Sequence, residues 1–168
     1  LAHGRDTRAV NPSAARKGIS AETTFLEDLS ALADLEDVLA ELCEKVARHA
    51  RADGHAGRAV TLKLRTTDFR IVTRRRTIAV PTQTAKTLFA VGRDLLAKEA
   101  TGRPYRLIGA GLSDFIEADA GADLFGQAEE RELKSEKAID ALRARFGKDA
   151  VVSGRALKSR PRSIDDLC

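Results

Sequence analysis

The chain has 168 residues, 43% hydrophobic and 32% charged, which suits one ordinary domain with tails and argues against wholesale disorder. Aromatic residues are only 4%, with no Trp and one Tyr, so the core is expected from Leu, Ile, Val, Ala and six Phe. The net charge is +4, a mild excess whose placement matters more than its size. No apolar run approaches the ~20 residues of a membrane span, and the first five residues are no signal peptide. A chain without any Met, position 1 included, is expected to be a piece of a longer polypeptide. Cys43 and Cys168 lack metal or redox spacing, which points to a reducing cytoplasm.

Residues 1–16 show no periodicity and contain Asn11-Pro12-Ser13, the signature of a linker. Ile19, Ala21, Thr23 and Phe25 then alternate with polar neighbours, predicting a half-buried strand. After Asp34, expected as an N-cap, Leu35, Val38, Leu39, Leu42, Cys43, Val46 and Ala50 recur at helical spacing until Gly54. Cys43 falls on the apolar face of that helix, as a small hydrophobe. Eight acids and no base lie between Glu22 and Glu44, so an acidic surface is laid down early.

Residues 59–65 alternate cleanly. Val60, Leu62 and Leu64 point one way, and Thr61, Lys63 and Arg65 the other. A turn through Thr66, Thr67 and Asp68 leads into a second run, 69–78, predicting an antiparallel hairpin. Pro81 is expected to end that strand and Thr82 to cap a second helix, with Leu88, Phe89, Leu95 and Leu96 inward and an end near Gly102. A fourth strand follows at 105–112, where Gly109 and Gly111 suggest close backbone approach or a bulge. The order strand-helix-strand-strand-helix-strand predicts an α+β domain: a four-stranded sheet with both helices on one face and the other face free. Residues 117–126 read as a flexible connector, 129–146 as a third helix with Leu133, Ile139, Leu142 and Phe146 apolar, and 154–161 as a basic end.

Seven basic residues and one acid lie between Arg58 and Arg76, on the predicted hairpin. If Val60, Leu62 and Leu64 pack under the helices, Lys63 and Arg65 project from the free face with Thr61, Ser20 and Thr24. Such a row suits phosphate oxygens. Basic residues can also simply keep an edge hairpin soluble. Here, however, the charges are nearly all of one sign, and the consecutive Arg74, Arg75 and Arg76 place side chains on both faces, where mutual repulsion costs stability unless an anion neutralises it. His3, His49 and His55 are scattered, no phosphate-cradling glycine loop is present, and the carboxylates of Ser163-Ile164-Asp165-Asp166 sit in a loose tail. Leu124 and Phe125, in a polar segment, suit either docking into a partner or folding back on the domain.

Residues 17–25 (KGISAETTF), 58–69 (RAVTLKLRTTDF), 73–77 (TRRRT), 106–113 (RLIGAGLS) and 138–147 resemble, in order, the C-terminal part of Y-family DNA polymerases, closest to the DNA polymerase IV (DinB) branch. Leu1 to Asp6 resemble the end of the thumb that precedes it. The resemblance implies a linker at 1–16, a little-finger DNA-binding domain at 17–118 and a flexible tail with a helix at 119–168. It further implies a role in translesion synthesis, DNA repair and damage tolerance, with the sheet lying in the major groove of duplex or primer-template DNA. By position, Lys17, Ser20, Thr24, Lys63, Arg65, Arg74, Arg75, Arg76 and Arg106 take the phosphate contacts. Asp123, Leu124 and Phe125 resemble the end of the family's sliding-clamp peptide, although Gly121 stands where that peptide usually begins with Gln. The family's nucleotidyl transfer uses palm carboxylates and Mg²⁺ that lie N-terminal to anything here. The chain alone is therefore expected to bind DNA without copying it and to carry no cofactor or metal. The competing expectation is a stand-alone module that engages the clamp or a partner polymerase.

Overall fold

The computed structural model describes residues 16–117, 127–147 and 150–152. In chain order the elements are β1 (Gly18–Leu29), α1 (Leu32–Ala52), β2 (His55–Thr66), β3 (Ile71–Thr82), α2 (Ala85–Glu99), β4 (Tyr105–Glu117) and α3 (Gln127–Phe146). The four strands form one sheet in the order β1-β4-β2-β3, with every neighbouring pair antiparallel. Helix α1 packs on β1 and β4, α2 on β2 and β3, and the two helices on each other. The expected two-layer α+β architecture is thus present.

Helical periodicity accounts for α1. Leu35, Leu39, Leu42, Cys43, Val46, Ala47 and Ala50 are all buried along one stripe. Each large aliphatic side chain so removed from water contributes about 1.5–3 kcal/mol. From the sheet, Val60, Leu62, Leu64, Ile108, Ala110 and Leu112 meet this stripe, and Leu88, Leu95 and Leu96 of α2 complete the core. Buried Tyr105 donates its hydroxyl to the Glu99 carbonyl at 2.8 Å, joining the end of α2 to the start of β4.

Three boundary expectations are corrected. Asp34 is not the N-cap of α1: the helix starts at Leu32 after Ala31, and Asp34 lies in its first turn, where a carboxylate still favours the helix dipole. Pro81 does not end β3, which continues to Thr82. β3 is an edge strand, so the missing N–H removes no bond from a central ladder. The register also shifts there, from Ala59↔Thr77 to Gly57↔Thr82. Finally, Thr84 rather than Thr82 occupies the N-cap of α2, and its side chain makes no cap bond.

The free N–H groups at the start of α2 instead meet a carboxylate from α3. Glu136 accepts from Ala85 N–H at 2.8 Å and from Lys86 N–H at 3.3 Å, and also pairs with Arg51. Arg51 is almost fully buried and binds Asp140 at 2.7 Å as well. Glu129 accepts the hydroxyls of Thr82, Thr84 and Thr87. Leu142 and Phe146, expected on the apolar face of α3, are exposed. The third helix is therefore held to the helical layer largely by carboxylates. Burial pushes the Glu136 carboxyl above the ordinary carboxylate range, against the lowering effect of its N–H donors and Arg51.

Candidate nucleic-acid interface

Pairing register assigns the paired strand residues to a face, because directly opposed residues share one. Read from β1 through β4 and β2 to β3, one row on the helical side is Ala21, Ala110, Leu62 and Arg74. The side away from α1 and α2 reads Thr24, Leu107, Arg65, Ile71, then Glu22, Gly109, Lys63, Thr73, then Ser20, Gly111, Thr61, Arg75. No described element covers this second face.

Three cations and six hydroxyls therefore share the open face: Lys63, Arg65 and Arg75 with Ser20, Thr24, Thr61, Thr73 and, one row further, Ser113 and Thr77 on either side of Ala59. Lys17 stands exposed immediately before β1. Arg75 is exposed and has no ion-pair partner among the described residues. The Nε of Arg65 is buried, and among the described residues it has no hydrogen-bond partner. A buried donor left in that state favours an acceptor from outside. Gly109 and Gly111 leave the centre of the face as bare backbone, a shallow trough lined by Ser20, Glu22, Thr61, Lys63 and Thr73.

The structure separates the three consecutive arginines. Arg74 lies opposite Leu62 and Arg76 opposite Val60, both on the helical side. There Arg74 pairs with Glu99 at 2.6 Å and Arg76 with Asp94 at 3.0 Å, two carboxylates of α2. Only Arg75 joins the open face. Arg106 is engaged at the far end of β4, 4.6 Å from the Phe69 ring centroid and 4.0 Å from Asp28. It occupies a register shift in which Arg65 faces Leu107 and Thr66 faces Tyr105.

Sequence reasoning missed Glu22. Its alternation with Ser20 and Thr24 places it on the open face, and its carboxylate accepts from Lys63 Nζ at 2.7 Å. Asp123, Leu124 and Phe125, the expected clamp contacts, lie outside the described residues, as do His3 and Ser163 to Asp166. His49 is exposed and His55 stacks on Phe115 at 5.0 Å; among the described residues no group of His, Cys, Asp and Glu is arranged to hold a metal. Among the same residues no helix is long and apolar enough to cross a membrane.

Residues 16–124 match the C-terminal domain of the impB/mucB/samB family. The DNA polymerase IV of Caulobacter vibrioides is 66% identical over 161 residues, covering 95% of this chain and 40% of that protein. The DNA polymerase IV of Brucella melitensis is 45% identical over 156 residues, 92% of this chain and 35% of the relative. The chain thus spans well under half the length of these curated relatives. Among solved structures, a post-insertion binary complex of Dbh DNA polymerase shares the fold, with a TM-score of 0.51 at 14% identity over 59% of this chain and 29% of that one.

Proposed function

Since the chain belongs to the impB/mucB/samB family by its C-terminal domain, as a little finger of the Y-family DNA polymerase IV type, we propose that its open sheet face grips the backbone of duplex or primer-template DNA. Lys63, Arg65, Arg75 and Lys17 supply charge-assisted bonds to phosphate oxygens, and Ser20, Thr24, Thr61 and Thr73 supply neutral ones. Arg74 and Arg76, already paired to α2, border the interface rather than form it. Contacts of this kind carry no base sequence, so the grip is sequence-independent and weakens with salt as counterions are released. Its role is to hold DNA against a nucleotidyl-transfer site supplied by parts of the polymerase outside this chain, in damage tolerance and repair.

The observation that carries this reading is the difference between the two faces of the sheet. Lys63, Arg65 and Arg75 stand with a row of hydroxyls and one acid, Glu22, on a face that no described element covers, while Arg74 and Arg76 on the helical side are paired to Glu99 and Asp94 of α2. An uncovered surface with that excess of cations suits a polyanion. Titrating the isotope-labelled chain with a duplex of arbitrary sequence at low salt tests it. Amide shifts are expected along β2 and at Ser20, Gly109, Gly111 and Arg75. Absence of binding, or shifts confined to α1, would refute it.

A further inference from the structure

Glu22 and Lys63 belong to strands that are not neighbours. β4 runs between them, so their backbones are about 10 Å apart, two strand spacings. Their side chains nevertheless meet, Nζ to Oε2 at 2.7 Å, with Gly109 as the register partner of both. The glycine makes room for this bridge. A Cβ on Gly109 would stand 3.0 Å from the Cβ of Glu22, tighter than side chains ordinarily tolerate. The bridge therefore crosses the floor of the trough, and Glu22 is the only acid in the three rows that present Lys63, Arg65 and Arg75.

We propose that Glu22 is an internal competitor for DNA: its carboxylate holds Lys63 across the Gly109 trough, and an incoming phosphate must displace it. This rests on the DNA-gripping reading of the same face. The physical reason is exchange. In the free domain the Lys63 ammonium already has an anionic partner, so binding replaces one charge-assisted bond by another instead of adding one. The released carboxylate is left facing a phosphate backbone, which adds repulsion. Both effects lower affinity, and a grip weakened in this way lets the domain step along DNA more readily than three unopposed cations would.

The bridge and its consequence are tested separately in the whole chain. The Lys63 ammonium should give a slowly exchanging proton–nitrogen NMR signal in the free protein, and E22Q should abolish it. Absence of that signal in the parent chain overturns the proposal whatever the DNA result. With fluorescent duplex at low salt, E22Q should tighten binding by about two- to fivefold, the range expected for an exposed ion pair. The gain should be smaller when Lys63→Met is also present, because no bridge is left to break. A gain as large or larger in the K63M background means that Glu22 only repels phosphate, and weaker binding by E22Q means that it positions Lys63 productively; either result overturns the proposal. If K63M/R65M/R75M binds duplex as tightly as the parent chain, the DNA reading itself falls and this one with it. Asp34→Asn, on the opposite layer, serves as the control and should leave affinity unchanged.

Discussion

Salt dependence offers the sharpest measure of which cations meet DNA, because it counts phosphate contacts without requiring a complex structure. The perturbation is the triple substitution K63M/R65M/R75M, compared with R74M/R76M. Each phosphate neutralised on a duplex contributes about 0.9 to the slope of log affinity against log salt. Three open-face cations therefore account for about 2.7 of the slope. Between about 50 and 200 mM salt, losing that share makes the affinity drop about 40-fold smaller than in the parent chain. The pair Arg74 and Arg76, held by Glu99 and Asp94 on the other face, should change the slope by less than about 0.5. Fluorescence anisotropy with a labelled duplex at four or five salt concentrations supplies the slopes. Equal slopes for the triple variant and the parent, or a larger change for R74M/R76M, would refute the assignment of faces. Melting temperatures of both variants guard against unfolding as the cause.

Other expectations concern stability and reactivity. Arg51→Ala strands Glu136 and Asp140 in a largely buried site and should cost about 3–5 kcal/mol in urea unfolding, with a loss far below that showing the pairs to be water-screened. The raised Glu136 carboxyl contributes stability that is present below its ordinary pKa and lost as pH rises through its elevated value. Thermal melts from acid to neutral pH should therefore show the parent chain gaining on E136Q as pH falls, and a constant difference would contradict this. Gly57→Ala places a Cβ 2.6 Å from Leu112 Cγ and 2.9 Å from the Ser113 carbonyl oxygen, so a loss of about 1–3 kcal/mol is expected by chemical denaturation. Burial pushes the Cys43 thiol up to about 12, so in a C168S background a disulfide reagent at neutral pH should label it only on unfolding. Rapid labelling of the folded chain would show that site to open.

Local periodicity settled much of the molecule. Val60, Leu62 and Leu64 alternate with Thr61, Lys63 and Arg65 because successive side chains of a strand point to opposite faces, and burying one set commits the other to the open side. The stripe from Leu35 to Ala50 identifies α1 for the equivalent reason at helical spacing. Both signals lie within a few residues of each other along the chain, which is why sequence alone carries them.

What sequence could not supply depends on contacts between distant segments. Alternation along a strand already puts Arg75 on the face opposite Arg74 and Arg76, but which of those faces is the open one waits for pairing with β2. Then Arg75 joins Thr61 on the open face, while Arg74 and Arg76 turn to carboxylates of α2. Pro81 looks like a terminator until β3 proves to be an edge strand. The attachment of α3 was hidden because carboxylates at Glu129, Glu136 and Asp140, spaced like any solvated face, find their donors only when Thr84, Ala85 and Arg51 arrive from elsewhere. The Glu22–Lys63 bridge exists only because β4, last in the chain among the strands, inserts between β1 and β2 and carries no side chain at Gly109. Sequence by itself thus determined which residues lie on the same side of one element. Tertiary structure decided which charges meet, because electrostatic partnership depends on distance in space and strand order is set by packing across the whole sheet.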